Sequence, residues 1–186
     1  MDRSIEIVQL VPHDTPLLFE GIVDVYRAAF GQPPYNEGEA DSRAFAENFK
    51  HHQYRPGFRC MLACEIPERR VIGFAYGCSS LAGQWWYDIV EAALPAVQAR
   101  RWIKDAFELI ELAVLPEVQG QGIGGRLHDR LLVGLPHATA VLSTMQAETR
   151  ALHLYRRRGW APLLENFHFP GVMDLYLVMG LDLRSE

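Results

Sequence analysis

The stretch Glu111-Leu-Ala-Val-Leu-Pro-Glu-Val-Gln119-Gly120-Gln121-Gly122-Ile123-Gly124-Gly125-Arg126-Leu127 decides how this chain is read. A strand ends in it, a short loop follows, and a helix opens on glycines. Ile123, Leu127 and Leu131 recur every four residues, the stripe of a helix with one buried face. Glycine lets the backbone turn tightly and come close to a ligand without a Cβ in the way. First-turn amides have no intrahelical acceptor, and the helix dipole favours an anion there. Together these features predict a phosphate cradle.

Gly120, Gly122 and Gly125 also satisfy the G-x-G-x-x-G spacing of dinucleotide-binding folds. Topology argues against that reading. Pro116 to Gln119 separate the strand from the first glycine, and the motif comes late in the chain. Glu148 stands near the distance of a ribose-binding acid, but too little chain follows to complete a doubly wound sheet. The bland alternative is a loop that merely packs. It leaves unexplained why a helix should open on three residues that disfavour helix.

Outward from this loop, the N-terminal half reads strand (5–11), helix (16–30, closed by Gly31), turn at Gln32-Pro33-Pro34-Tyr35, and helix (40–51). A hairpin is predicted at 58–79 around Pro67-Glu68-Arg69-Arg70. The segment 88–101 is expected to be helical and limited or kinked by Pro95. Residues 107–115 form a strong strand. After the glycine loop come helix (to about 135), strand (139–145), helix (149–158) and two closing strands (161–164 and 175–183). With no repeat, linker or low-complexity tract, the chain is expected to be one α/β (α+β) domain, residues 1–186, with a mixed sheet.

Read as Gln/Arg-x-x-Gly-x-Gly/Ala, Gln119-Gly-Gln-Gly122-Ile-Gly124 resembles the cofactor motif of the GNAT superfamily of acyl-CoA-dependent N-acetyltransferases. The approach, Leu-Ala-Val114-Leu-Pro-Glu, looks like that family's fourth strand and turn. A second match follows at family spacing: Ala151-Leu-His-Leu-Tyr155-Arg-Arg-Arg-Gly159-Trp160 resembles its Tyr-x-x-x-Gly-Phe segment. Two departures stand out: Glu148 where Asn is common, and Gln119 in place of the commoner Arg. The resemblance implies a GNAT-like fold with a central, mostly antiparallel twisted sheet flanked by helices. It implies acetyl-CoA as cosubstrate. The backbone of Leu112, Ala113 and Val114 would pair with the pantetheine arm, and amides from Gln119, Gly120, Gln121, Gly122, Ile123, Gly124 and Gly125 would hold the pyrophosphate. Tyr155 would sit near the thioester sulfur.

Direct acetyl transfer needs an amine stripped of its proton, a polarised thioester carbonyl and a proton for the leaving thiolate. Glu108 and Glu111 lie in an otherwise apolar strand, a costly place for charge unless it is paired or used. Strand alternation puts Glu108 on the face of Leu112 and Val114 and Glu111 on the other, provided no bulge intervenes. Glu108, six residues before Val114, matches the base position in some branches of the family and is preferred as base. Glu111 is the alternative, and a structural ion pair is the bland reading of both. Tyr155 is the natural acid for the thiolate. Its bland reading is a half-buried aromatic on the helix stripe. Arg156, Arg157 and Arg158 suit a helix C-terminus. Tyr35, Trp85 and Trp86 are candidate walls of an acceptor pocket, and the tryptophans read equally well as a satellite core.

Composition bounds the remaining choices. The chain has 186 residues, a formal net charge of −5 and 49% hydrophobic residues. No strongly basic region marks a nucleic-acid binder, and no uncharged run marks a membrane span. Charges at Asp2, Arg3 and Glu6 argue against a signal peptide. Cys60-x-x-x-Cys64 could suggest a metal pair, but no second pair of ligands stands at a matching spacing, so no metal is expected and Cys60, Cys64 and Cys78 are read as three buried thiols. The expectation is a cytoplasmic enzyme acting on a small-molecule or peptide amine, as a monomer or a homodimer. A non-catalytic acyl-CoA sensor is the competing reading.

Overall fold

The computed structural model describes residues 4–184. Met1 to Arg3, the start of the charged N-terminus, and Ser185 and Glu186, the end of the expected domain, lie outside the described residues. Seven strands hydrogen-bond in the order β1-β2-β3-β4-β5-β7-β6, giving the mixed, mostly antiparallel sheet expected. The chain falls into two compact units, residues 1–77 with 111–133, and residues 78–110 with 134–186.

In the first unit, β1 (Ser4–Gln9) pairs antiparallel with β2 (Arg59–Ile66), which pairs antiparallel with β3 (Arg70–Ser80). A bulge between Ala63 and Cys64 shifts the register of that hairpin. Six consecutive residues of β2 are buried, so this strand has no solvent face and reads as an apolar run rather than an alternation. Two helices, α1 (Thr15–Phe30) and α2 (Glu39–His52), bury Ile22, Val25, Tyr26, Phe45 and Phe49. Phe45 packs against Phe74 of β3, with ring centroids 5.6 Å apart. The next residue back, Gly73, turns to the opposite face, where an added Cβ would lie 3.1 Å from Leu127. Leu127 belongs to α5 (Ile123–Leu132), so this part of the sheet is covered on both faces.

The second unit has its own core. Helices α3 (Trp85–Ala93) and α4 (Ala96–Trp102) are separated at Leu94 and Pro95, so the predicted kink is a full break. Trp86, Tyr87, Val90, Ile103, Val141 and Val178 belong to one buried cluster. Strand β4 (Ala106–Val114) runs parallel to β5 (Thr139–Met145), and the ladder holds three pairs, from Ala106 opposite Thr139 to Glu108 opposite Val141. β5 then pairs antiparallel along its whole length with β7 (Tyr176–Asp182), and β7 with β6 (Ala161–Phe167). β6 is longer than the strand predicted at 161–164. Helix α6 (Arg150–Arg157) is capped by Thr149, whose hydroxyl accepts from the Leu152 amide at 3.0 Å. Among the described residues no helix is long and apolar enough to cross a membrane.

Candidate active site

The glycine loop forms a tight turn into α5. Gly122, the residue before the helix, has φ +79°, a left-handed conformation that glycine adopts without Cβ strain. A Cβ built there would meet nothing within 4 Å, so the space above this turn is open. The first helical hydrogen bond runs from the Arg126 amide to the Gly122 carbonyl, 3.1 Å. The amides of Ile123, Gly124 and Gly125 precede it, in the turn where a helix supplies no acceptors. Gly124 is close above the strand, since its Cβ would sit 3.6 Å from Leu112 and 3.8 Å from Val114. Gln119 fastens the loop to that strand by donating its side-chain amide to the Val114 carbonyl at 2.9 Å. Leu112, Ala113, Val114 and residues 119–125 are thus gathered in the first unit, as one strand end and one helix start.

Glu111, half-buried on β4, is in the same unit. Among charged groups its carboxylate weighs most in keeping the proton of Tyr26, on α1, in place. Burial is the larger cause, and the Tyr26 hydroxyl is held well above the ordinary phenol range. That hydroxyl hydrogen-bonds Glu37, in the turn between α1 and α2. Burial raises the Glu37 carboxyl above the usual range, the bond from Tyr26 lowers it, and Asp41 raises it again. Its Oε2 is buried with no hydrogen-bond partner. The turn is closed by the Glu37 amide donating to Phe30 O (3.0 Å) and the Gly38 amide donating to Asp41 Oδ2 (2.8 Å). Tyr35, singled out from sequence, leans edge-on against Phe30, with centroids 4.9 Å apart. Tyr35 is marked in the sequence by the prolines before it, whereas Tyr26, Glu37 and Asp41 carry no such signal: Tyr26 falls on the apolar stripe of α1, and nothing local marks Glu37 as buried.

The other predicted residues belong to the second unit. Glu108 is 6% exposed, on the three-pair ladder with β5. Tyr155 is buried on α6, edge-on to Trp160 at 5.7 Å between centroids. Gly159, with φ +80°, turns the chain out of that helix. Glu148, where the resembled family commonly has Asn, accepts from Arg156 at 3.0 Å and pairs with His153 at 2.7 Å. These partners hold its carboxyl below the ordinary range, His153 first and Arg156 next. The two tryptophans differ. Trp86 is 8% exposed, part of the core, with its indole N–H on Ser143 Oγ at 3.1 Å. Trp85 is 58% exposed and stacks on Phe169 at 5.5 Å. The three cysteines are buried, as expected.

Residues 60–162 match the Acetyltransferase (GNAT) domain family, more than half of the chain. The chain belongs to the GNAT acetyltransferase family. It is 35% identical over 126 residues to the GCN5-like protein acetyltransferase Rv2170 of Mycobacterium tuberculosis, a match covering 63% of this chain and 61% of that protein. The match thus spans less than two thirds of its curated relative. Among solved structures, its fold is similar to the ribosomal-protein-S18-alanine N-acetyltransferase of Escherichia coli. There the TM-score is 0.61 at 18% identity, covering 96% of this chain and 94% of that one. It is also similar to the yncA protein of Salmonella typhimurium, solved with its cofactor acetyl-CoA. That match has a TM-score of 0.61 at 16% identity over 98% and 96% of the two chains.

Proposed function

We propose that this protein transfers an acetyl group from acetyl-CoA to a primary amine on a small molecule or peptide. The observation that carries the reading is the glycine turn at α5: a left-handed Gly122 beneath open space, followed by three amides at a helix start. A pyrophosphate fits such a turn, because the donors point outward and the dipole favours its charge. Acetyl-CoA supplies the activated acetyl thioester. The amides of residues 119–125 bind its phosphates, and the backbone of Leu112 to Val114 orients the arm.

Glu111 takes the proton from the attacking ammonium. We prefer it to Glu108 because it is half-buried beside other ionisable groups, whereas Glu108 lies deeper, on the β4–β5 ladder. Tyr155 donates its phenolic proton to the departing thiolate; an ordinary phenol is protonated at neutral pH. Tyr35 and Trp85 offer aromatic faces to a cationic acceptor, and Trp86 anchors Trp85 to the core of its unit. Three buried cysteines, none of them in a disulfide, support a reducing, cytoplasmic setting.

The test is release of free thiol from acetyl-CoA across a panel of primary amines, from short alkylamines and polyamines to peptides with free N-termini or lysines. Amine-dependent release supports the reading. Tight acetyl-CoA binding without turnover on any of these amines would instead make the chain an acyl-CoA sensor.

A further inference from the structure

Arg126 and Arg130 stand four residues apart on α5, so their side chains are neighbours on one face of the helix. Like charges at that spacing disfavour a helix. Arg130, in the last turn, suits the dipole there, but Arg126, near the helix start, does not. A cavity of about 400 Å³ opens beside them, lined by Ile7 of β1, Arg126, Asp129 and Arg130. Arg126 is tied to its wall by donating to the Ile5 carbonyl at 3.0 Å. Arg59, at the start of β2, closes one end: it donates to the Val133 carbonyl at 2.7 Å, just past the last turn that carries Arg130. Among the described residues, none of these three guanidiniums forms an ion pair with a carboxylate. Asp129 is the one acid on the cavity wall, and its Oδ1 lies 2.8 Å from Nδ1 of the buried His128 ring. Burial first, and the charge of Arg130 second, pull the Arg59 guanidinium below its ordinary range. In a chain whose net charge is −5, three arginines gathered against one acid call for an anion from outside.

This place is distinct from the glycine cradle. An α-helix advances about 100° per residue, so Arg126, two residues on from Gly124, is carried about 200° round the axis. Gly124 overlies Leu112 and Val114 of β4, whereas Arg126 reaches β1, the outermost strand of the sheet. We infer that the cavity between β1 and α5 is a second anion site, and that it takes a phosphate monoester whose dianion bridges Arg126 and Arg130. Two guanidinium forks a turn apart need more acceptor oxygens than one carboxylate has, and the three free oxygens of a phosphate monoester supply them. The cavity exceeds a bare phosphate, and Ile7 gives the organic part of the ester an apolar wall. Helix α5 then holds two anions, one at its tip and one on its flank. The flank site does not depend on acetyl transfer.

Calorimetric titration of the full chain at low salt tests this, with inorganic phosphate, phenyl phosphate and acetate as probes. Phosphate should bind one to one, phenyl phosphate at least as tightly, and acetate about tenfold or more weakly. Arg130→Gln should weaken phosphate about tenfold or more, and Arg126→Gln likewise. Arg130 makes no hydrogen bond within the described chain, so its loss leaves the fold alone; Arg126→Gln gives up the Ile5 bond and is read beside a melting curve. Two variants serve as controls. Arg43→Gln, at an exposed arginine of α2, should leave phosphate binding unchanged. Gly122→Ala, which alters the cradle, should weaken acetyl-CoA and leave phosphate unchanged. No phosphate binding by the parent chain, or binding that survives Arg130→Gln, would overturn the site. Phosphate binding lost in Gly122→Ala would place the anion in the cradle instead. Acetate binding as tightly as phosphate, or exclusion of phenyl phosphate, would overturn the monoester assignment.

Discussion

His52 Nδ1 lies 3.1 Å from the Tyr76 hydroxyl, joining the last turn of α2 to the middle of β3. Burial, and after it the charge of Arg55, pulls the His52 ring down to about 4, so it is neutral at pH 7. Because the folded ring is harder to protonate than the unfolded one, the unfolded chain binds more protons between these two values. Stability should be complete above about 6.5, the ordinary histidine value, and should decline as pH falls from there towards about 4. Melting temperature measured across that window should drop in the parent chain and fall less steeply in His52→Gln. Equal slopes would show that His52 is not the group responsible.

The cradle predicts a specific cost at Gly122. Alanine there must adopt φ +79°, which costs an L-residue about 1–2 kcal/mol. Since nothing crowds the new Cβ, the chain should still fold. Acetyl-CoA affinity by calorimetry should fall about tenfold or more, equivalent to about 1.4 kcal/mol. An unchanged Kd in a folded Gly122→Ala chain would remove the glycine turn from the binding site.

Tyr155→Phe keeps the ring contact with Trp160 and loses only the hydroxyl. With general acid work worth about 10²-fold or more, kcat should fall by that order while KM for acetyl-CoA moves little. A loss confined to KM would make Tyr155 a binding residue instead.

Glu111→Gln and Glu108→Gln separate the two candidate bases. The first should abolish the acid limb of the rate profile and the second should leave it in place, at the expense of some stability. The reverse result would return the role to Glu108.

The adjacent tryptophans should part company. Trp86→Ala opens a cavity and strands the Ser143 hydroxyl, at about 3–5 kcal/mol, lowering Tm by roughly 6–20 °C. Trp85→Ala should melt within a few degrees of the parent and raise KM for the amine. Trp85→Ala with unchanged amine kinetics would remove it from the acceptor pocket.

What the sequence disclosed was local. A strand, a glycine turn and a helix stripe occupy consecutive residues, so 111–131 could be read without knowing what packs where. Break-versus-kink at Pro95 was nearly legible, since proline removes a donor wherever it falls. Trp85 and Trp86 could not be told apart, because neighbours on a helix point about 100° away from each other and only the packing partner says which faces inward. Glu37 was invisible for a stronger reason. Its raised carboxyl depends on burial and on Tyr26, eleven positions back and fixed by an aromatic stack that includes α2.

Leu109 and Ile110 continue β4 past its last registered pair with β5, so a strand edge lies inside the sheet rather than at its border. At a border, such an edge recruits strands from other molecules, and proteins blunt it with charge or proline. The outer strands here follow that rule, with exposed Glu6 on β1 and exposed Pro162 and Glu165 on β6. The inner edge needs no such guard. In the strand order β4 has a neighbour on each side, which shields it from pairing with another folded sheet. The chain can therefore end a ladder partway along an interior strand without creating a border that invites aggregation.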